Sequence, residues 1–180
     1  MKKLRIALPI LLAVVLLAGS AAPVFAGPPP FAGRRPAKTI VDVASTDPQF
    51  SILVTALTET GLASVLDGRG QFTVFAPTNA AFEAAAADLG LTLGELVDLL
   101  LANPDYLTDV LLYHVVRGRR NSRAVLGSRR IRTLQGGVLY QSGGVLTDQV
   151  GRQVAIVATN IRASNGLIHV IDNVVLPYLP

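Results

Sequence analysis

Two histidines, no cysteine and a run of arginines are the groups through which this chain of 180 residues could do chemistry. His114 follows Tyr113 where a helical pattern gives way to a strand, and His169 stands inside an apolar strand. A metal ion held by imidazole wants a third ligand at fixed geometry, and Asp172 is the candidate. The alternative is that each imidazole is a core group hydrogen-bonded to backbone, as buried polar groups are. Ser164 and His169 could be drawn as nucleophile and base, but Ser164-Asn165-Gly166 has the composition of a turn, which accounts for the serine. No G-x-S-x-G elbow, no H-E-x-x-H and no G-x-G-x-x-G after a strand occurs. The lack of cysteine removes disulfides, thiolate metal sites and a sulfur nucleophile. The expectation is a protein that is not an enzyme and uses neither metal nor cofactor.

The arginines are Arg117, Arg119, Arg120, Arg123, Arg129, Arg130 and Arg132, seven within 16 residues. Each guanidinium is a planar fork that matches carboxylate, sulfate or phosphate. One reading is a segment that binds an anionic polysaccharide or a small molecule. The other is a solvated face that pairs with acidic helices. Charge placement makes the second concrete: Thr39 to Val116 holds ten acids and one base, whereas Arg117 to Pro180 holds nine bases and two acids. Nucleic acid is not an expected partner, since aromatic residues are not interleaved with the bases.

The groups must be positioned by helices first and strands afterwards, an order that implies an α+β domain. Phe72–Ala76 reads as a strand that Pro77 should stop, having no N–H to give to a ladder. Thr78 follows as a helix N-cap with Asn79 as the alternative cap, and Pro77 and Phe82 occupy the two positions of a hydrophobic staple. Earlier, Thr39 caps one short helix and Asp47-Pro48 opens another, with Phe50, Leu53, Val54 and Leu57 on one apolar face. Thr92 and Glu95 form a capping box, and Asn103-Pro104 repeats the cap-plus-proline device. From Arg117 the period becomes two. Arg129–Leu134 and Val138–Gln141 flank a tight turn at Gln135-Gly136-Gly137, Gln153–Ile161 is a long alternating strand, and Leu167–Val175 is the most apolar one.

Ahead of the domain, residues 1–26 have the form of a signal peptide. Lys2, Lys3 and Arg5 precede an apolar run of 13 residues from Ile6 to Ala18, and Val24-Phe25-Ala26 is a small-residue cleavage pattern. The run is short of the roughly 20 residues that a spanning helix needs. Residues 27–37, GPPPFAGRRPA, form a Pro/Gly-rich linker. Residues 38–180 then make one domain of about 140 residues, enough for one sizeable core. The expected location is secreted, extracellular or in the cell envelope, without a stable membrane anchor. The monomer is the favoured state.

Three ordered segments resemble the fasciclin-like FAS1 domain. FTVFAPTNAAF (Phe72–Phe82) is similar to its first conserved block, LLYHVV (Leu111–Val116) to its Tyr-His motif and NGLIHVIDNVVLP (Asn165–Pro177) to its second block. The resemblance implies a wedge-like β-sandwich with several packed helices in the N-terminal half. It also implies a non-enzymatic binding or adhesion module for protein, matrix or polysaccharide partners. Tyr113 and His114 are then candidates for binding or folding. Phe75, Pro77, Thr78, Asn79, Phe82, Asn165, Gly166, His169 and Asp172 belong to the structural motifs. Phe75, Tyr113 and Ile168 are expected to meet in a single core.

Overall fold

Side chains placed at helix starts account for most of the helix boundaries in the computed structural model, which describes residues 38–68 and 70–179. The segments expected to be signal and linker, residues 1–37, lie outside the described residues. Helix α1 (Ile40–Ser45) opens on a reciprocal box: Thr39 Oγ1 accepts from the Asp42 N–H, and the Asp42 carboxylate accepts from the Thr39 N–H at 2.9 Å. Asp47 caps a 3₁₀ turn over Pro48–Phe50, which runs into α2 (Ser51–Glu59). Helix α3 (Leu62–Leu66) leads to strand β1 (Phe72–Pro77). Then come α4 (Asn79–Asp88), α5 (Leu93–Ala102) on its Thr92–Glu95 box, and α6 (Pro104–Tyr113).

The remaining elements are β2 (Val115–Arg117), α7 (Ser122–Leu126), β3 (Arg130–Arg132), β4 (Val138–Ser142), β5 (Val145–Thr147), β6 (Gln153–Ala163) and β7 (Gly166–Ile171). The strands form one sheet in the order β2-β1-β7-β6-β5-β4-β3. All neighbours are antiparallel except β1 and β7, which run parallel from Phe72↔Gly166 to Pro77↔Ile171. The fold is α+β, and it is the FAS1 fold that the sequence motifs imply.

The single sheet folds over at β6. Residues Gln153–Ala155 pair with β5, and the strand then pairs with β7 through two register shifts, between Ile156 and Ala158 and between Ala158 and Ile161. Bulges of this kind bend a strand. The fold encloses Phe75, Tyr113, Val116, Ile131, Leu139, Leu146, Val154 and Ile171, drawn from both ends of the sheet. A second cluster on the other face of β1 and β7 packs Val74, Ala76, Ile168 and Val170 against Leu53, Leu57, Phe82, Leu96, Leu100 and Leu107 of the helices.

Several expectations are corrected here. There are two apolar clusters, and β1 and β7 are the wall between them; Phe75 and Tyr113 lie in one and Ile168 in the other. The pairing ends at Pro77 as expected, with Pro77 itself included as the last residue of β1, opposite Ile171. Burial along β6 ceases to alternate after the first bulge, which puts Val157, Ala158 and Thr159 all outside. The turn at Gln135-Gly136-Gly137 is a five-residue loop from Thr133 to Gly137, closed by the Thr133 N–H donating to the Gly137 carbonyl.

Close approach at the start of the parallel pair sets one strict requirement. A Cβ on Gly166 would stand 2.1 Å from the Phe72 carbonyl oxygen and 2.7 Å from Ile40 Cδ1. Gly166→Ala is therefore expected to cost on the order of 1–3 kcal/mol, read from urea midpoints. An unchanged midpoint would mean that the two strands are not held this tightly.

Candidate binding site

The two conserved-type strands β1 and β7 spend their buried polar side chains on the loop between β2 and α7. Thr73 is fully buried, and its hydroxyl donates to the Gly118 carbonyl and accepts from the Arg120 N–H, each at 2.7 Å. His169, also fully buried, reaches the same loop from β7 with Nε2 2.9 Å from the Arg120 carbonyl oxygen. Its Nδ1 lies 3.4 Å from the Asn160 N–H. A carbonyl can only accept, so Nε2 carries the proton and Nδ1 accepts. Asn160 completes the frame: its Oδ1 accepts from the Ser122 N–H at 2.8 Å, and its Nδ2 donates to Ser122 Oγ at 2.7 Å.

His114 is tied in the opposite tautomer. Nδ1 stands 2.7 Å from the Val110 carbonyl and so donates, while Nε2 accepts from the Val175 N–H at 3.3 Å. Burial pushes both imidazoles toward the neutral form, lowering His169 and taking His114 down to about 4. Tyr113 is buried beside it, its hydroxyl donates to the Val138 carbonyl at 2.8 Å, and burial pushes the phenol up. Phase by phase, the drawn chemistry finds its groups already engaged. Both nitrogens of each histidine face backbone, and the Asp172 carboxylate accepts from the Ala155 N–H at 2.8 Å. Among the described residues, no three His, Cys, Asp or Glu side chains gather as a metal set.

The motif residues sit around this frame. Phe75 packs in the sheet cluster with its ring 5.8 Å from that of His169. Thr78 caps α4 by accepting from the Ala81 N–H at 3.2 Å. Asn79 serves a different helix, since its Oδ1 accepts from the Ile52 N–H in the first turn of α2 and its Nδ2 donates to the Pro48 carbonyl. Phe82 is buried in the helical cluster. Asn165 bridges α1 and α3 by accepting from the Ile40 N–H at 2.9 Å and donating to the Leu66 carbonyl.

The arginines do not act as one segment. Arg119 and Arg123 line a cleft of about 490 Å³ together with Asn121, Ser122, Asn160, Leu167 and Arg162. Arg162 lies on β6 and was not legible as a partner of the run, because the bend that brings β6 here leaves no periodic signal. Arg117, Arg129, Arg130 and Arg132 are exposed outside that cleft, and Arg130 stands 5.7 Å over the Tyr140 ring. Arg120 is half-buried, with its backbone held by Thr73 and His169. Pairing of the run with acidic helices is not what the structure has. Among the described residues the one salt bridge joins Arg152 to Asp88 at 2.6 Å, and Arg152 lies outside the run.

A folded-over sheet with helices on one side, its motif side chains committed to backbone, is the architecture of a fasciclin domain. The family model described as the Fasciclin domain matches residues 48–177, and the chain belongs to that family. It is 40% identical to protein sll1483 of Synechocystis over 78% of this chain and 74% of that one. It is 34% identical to the immunogenic protein MPB70 of Mycobacterium bovis, over 74% of this chain and 66% of the relative. It is 37% identical to the pig transforming growth factor-beta-induced protein ig-h3, where it spans 20% of the relative's length. The fold is similar to the FAS1 domain pair of the insect cell adhesion molecule Fasciclin I, with a TM-score of 0.66 and 17% identity over 78% of this chain and 51% of that one. No helix among the described residues is long and apolar enough to cross a membrane.

Neutral buried imidazoles make stability depend on pH. The His114 value of about 4 in the folded chain lies below the ordinary value of about 6.5, so protons bind the unfolded chain more readily. The stabilisation is complete above about pH 6.5 and falls as the pH drops toward 4. Unfolding free energies from urea titrations should decline from pH 7 to pH 5 by about 2 kcal/mol. The carboxylates held low by hydrogen bonds, such as Asp88, add their own loss only around pH 4 and below. A flat profile from pH 7 to 5 would contradict burial of both rings.

Proposed function

We propose that the chain is a secreted, non-enzymatic binding and adhesion module facing protein, matrix or cell-envelope partners. Membership of the fasciclin family supports this, as does the likeness to a domain pair from a protein described as a cell adhesion molecule. The commitment of both histidines to backbone supports a binding role over a hydrolytic one, since neither ring is free to act as a general base. The export signal read from residues 1–26 supports a location outside the cytoplasm.

The observation that carries the proposal is the set of exposed arginines without ion-pair partners. Six of the seven arginines between Arg117 and Arg132 are exposed, and none of the seven forms a salt bridge among the described residues. Exposed guanidiniums without carboxylates beside them are free to meet an anionic surface, and attraction of this kind weakens with salt. An anionic polysaccharide is the partner these arginines favour.

The check is retention on immobilised heparin under a salt gradient. The unsubstituted chain should be retained. A variant with Arg119, Arg120, Arg129 and Arg130 all replaced by serine should elute at clearly lower salt. Equal elution would remove the polyanion and leave a protein partner as the role of the module. A melting temperature matched between the two proteins makes the comparison valid.

A further inference from the structure

We infer that Arg119, Arg123 and Arg162 form a preformed subsite for the sulfate or carboxylate of an acidic sugar unit, which deepens the polyanion reading above and rests on it. Three arginines line one cleft from three places: the loop after β2, helix α7 and strand β6. No acidic side chain lines that cleft. Like charges gathered without a counter-charge repel, and an oxyanion relieves that repulsion while meeting the planar forks.

The walls are built, and the ties that build them are strong for a surface loop. The backbone of Gly118 and Arg120 is fixed by Thr73, and Arg120 again by His169. Ser122 is fixed twice by Asn160. The Arg119 guanidinium itself donates to the Ala163 carbonyl at 3.3 Å, which aims it across the mouth of the β6–β7 hairpin. Asn160 has φ of 63°, and no other non-glycine among the described residues has a positive φ. Left-handed backbone at a non-glycine residue costs free energy and persists only where surroundings enforce it. Here the two hydrogen bonds to Ser122 do so. A loop already ordered loses little conformational freedom on binding.

Size and lining point to a sugar unit over a bare ion. At about 490 Å³ the cleft is within the range of small-ligand sites and far larger than one sulfate requires. Asn121 and Ser122 line it beside the arginines; the Asn121 Oδ1 is used in capping α7 and Ser122 Oγ accepts from Asn160, which leaves the Asn121 Nδ2 and the Ser122 hydroxyl proton for ring hydroxyls. Leu167, itself buried, closes the floor of the cleft.

The experiment is calorimetric titration of the full chain with three probes: a sulfated heparin disaccharide, an unsulfated uronate disaccharide and sodium sulfate. One or both disaccharides should saturate a single site, and which one binds distinguishes sulfate from carboxylate. Free sulfate should bind at least tenfold more weakly. Arg162→Gln should lower disaccharide affinity at least tenfold, although Arg162 lies outside the Arg117–Arg132 run. Arg130→Gln, outside the cleft, should change it by less than twofold. Asn160→Gly is the second variant: it removes the strain and the ties to Ser122, so it should keep the fold and still weaken binding. If both arginine variants weaken the disaccharide alike, or if neither disaccharide saturates while heparin still retains the chain, the subsite is overturned and the general polyanion reading stands. If heparin does not retain the chain either, both fall together.

Discussion

Where β1 and β7 begin, the Phe72 carbonyl and the Cα of Gly166 leave no room for a side chain. This contact joins segments about two-thirds of the domain's length apart in sequence. Closing so long a loop costs conformational entropy before any pairing rewards it. What offsets that cost is burial on both faces. Val74 and Ala76 of β1 and Ile168 and Val170 of β7 face the helices, while Phe75 and Ile171 face the folded half of the sheet. Fully burying one large apolar side chain is worth roughly 1.5–3 kcal/mol, so a strand that is apolar on both sides can carry the closure. Asn165, at the turn into β7, then fastens α1 and α3 across the same end.

A strand buried on both faces has little room for polar groups, and those it has are fixed in place. Leaving one such group unpaired would cost roughly 1–3 kcal/mol. Thr73 and His169 therefore have backbone partners, and the partners lie on the loop that leads to α7. The wall of the core and the aim of the arginines are thus coupled. His114 does the corresponding work at the other end of β1, joining the last turn of α6 to the backbone at Val175. The two histidines use opposite tautomers because each faces a carbonyl with a different ring nitrogen, and both need to stay uncharged to do so.

Local chemistry was the legible part of the sequence. Thr39, Asp47, Thr78 and Thr92 each cap the element that follows them, since a cap is decided within four residues. The α+β class followed from the change of period at Arg117. Features that depend on distant chain were not legible. Asn79 has the sequence of a cap for its own helix, yet its side chain satisfies the start of α2. Asn103 precedes a proline like an N-cap, but its amide donates back to the Leu99 carbonyl at the end of α5. Pro77, by contrast, marks the end of β1 as its missing N–H leads one to expect. At the second register shift of β6, Asn160 adopts a left-handed conformation, and asparagine tolerates that without announcing it.

The arginine run shows how nearness in sequence and nearness in space part company. Arg130 and Arg132 flank Ile131, which is fully buried, so their spacing is that of the outer face of a strand. Two outward positions on a short strand need solvated side chains whatever the protein binds, and arginine there requires no ligand to explain it. Arg119 and Arg123 are in a different situation. They stand on either side of a loop whose backbone is held by three strands, and they meet Arg162, which is distant in the chain. Charge that is merely solvating has no reason to converge, because like charges gain by separating. Convergence enforced by buried ties is what separates these three cations from the rest of the run.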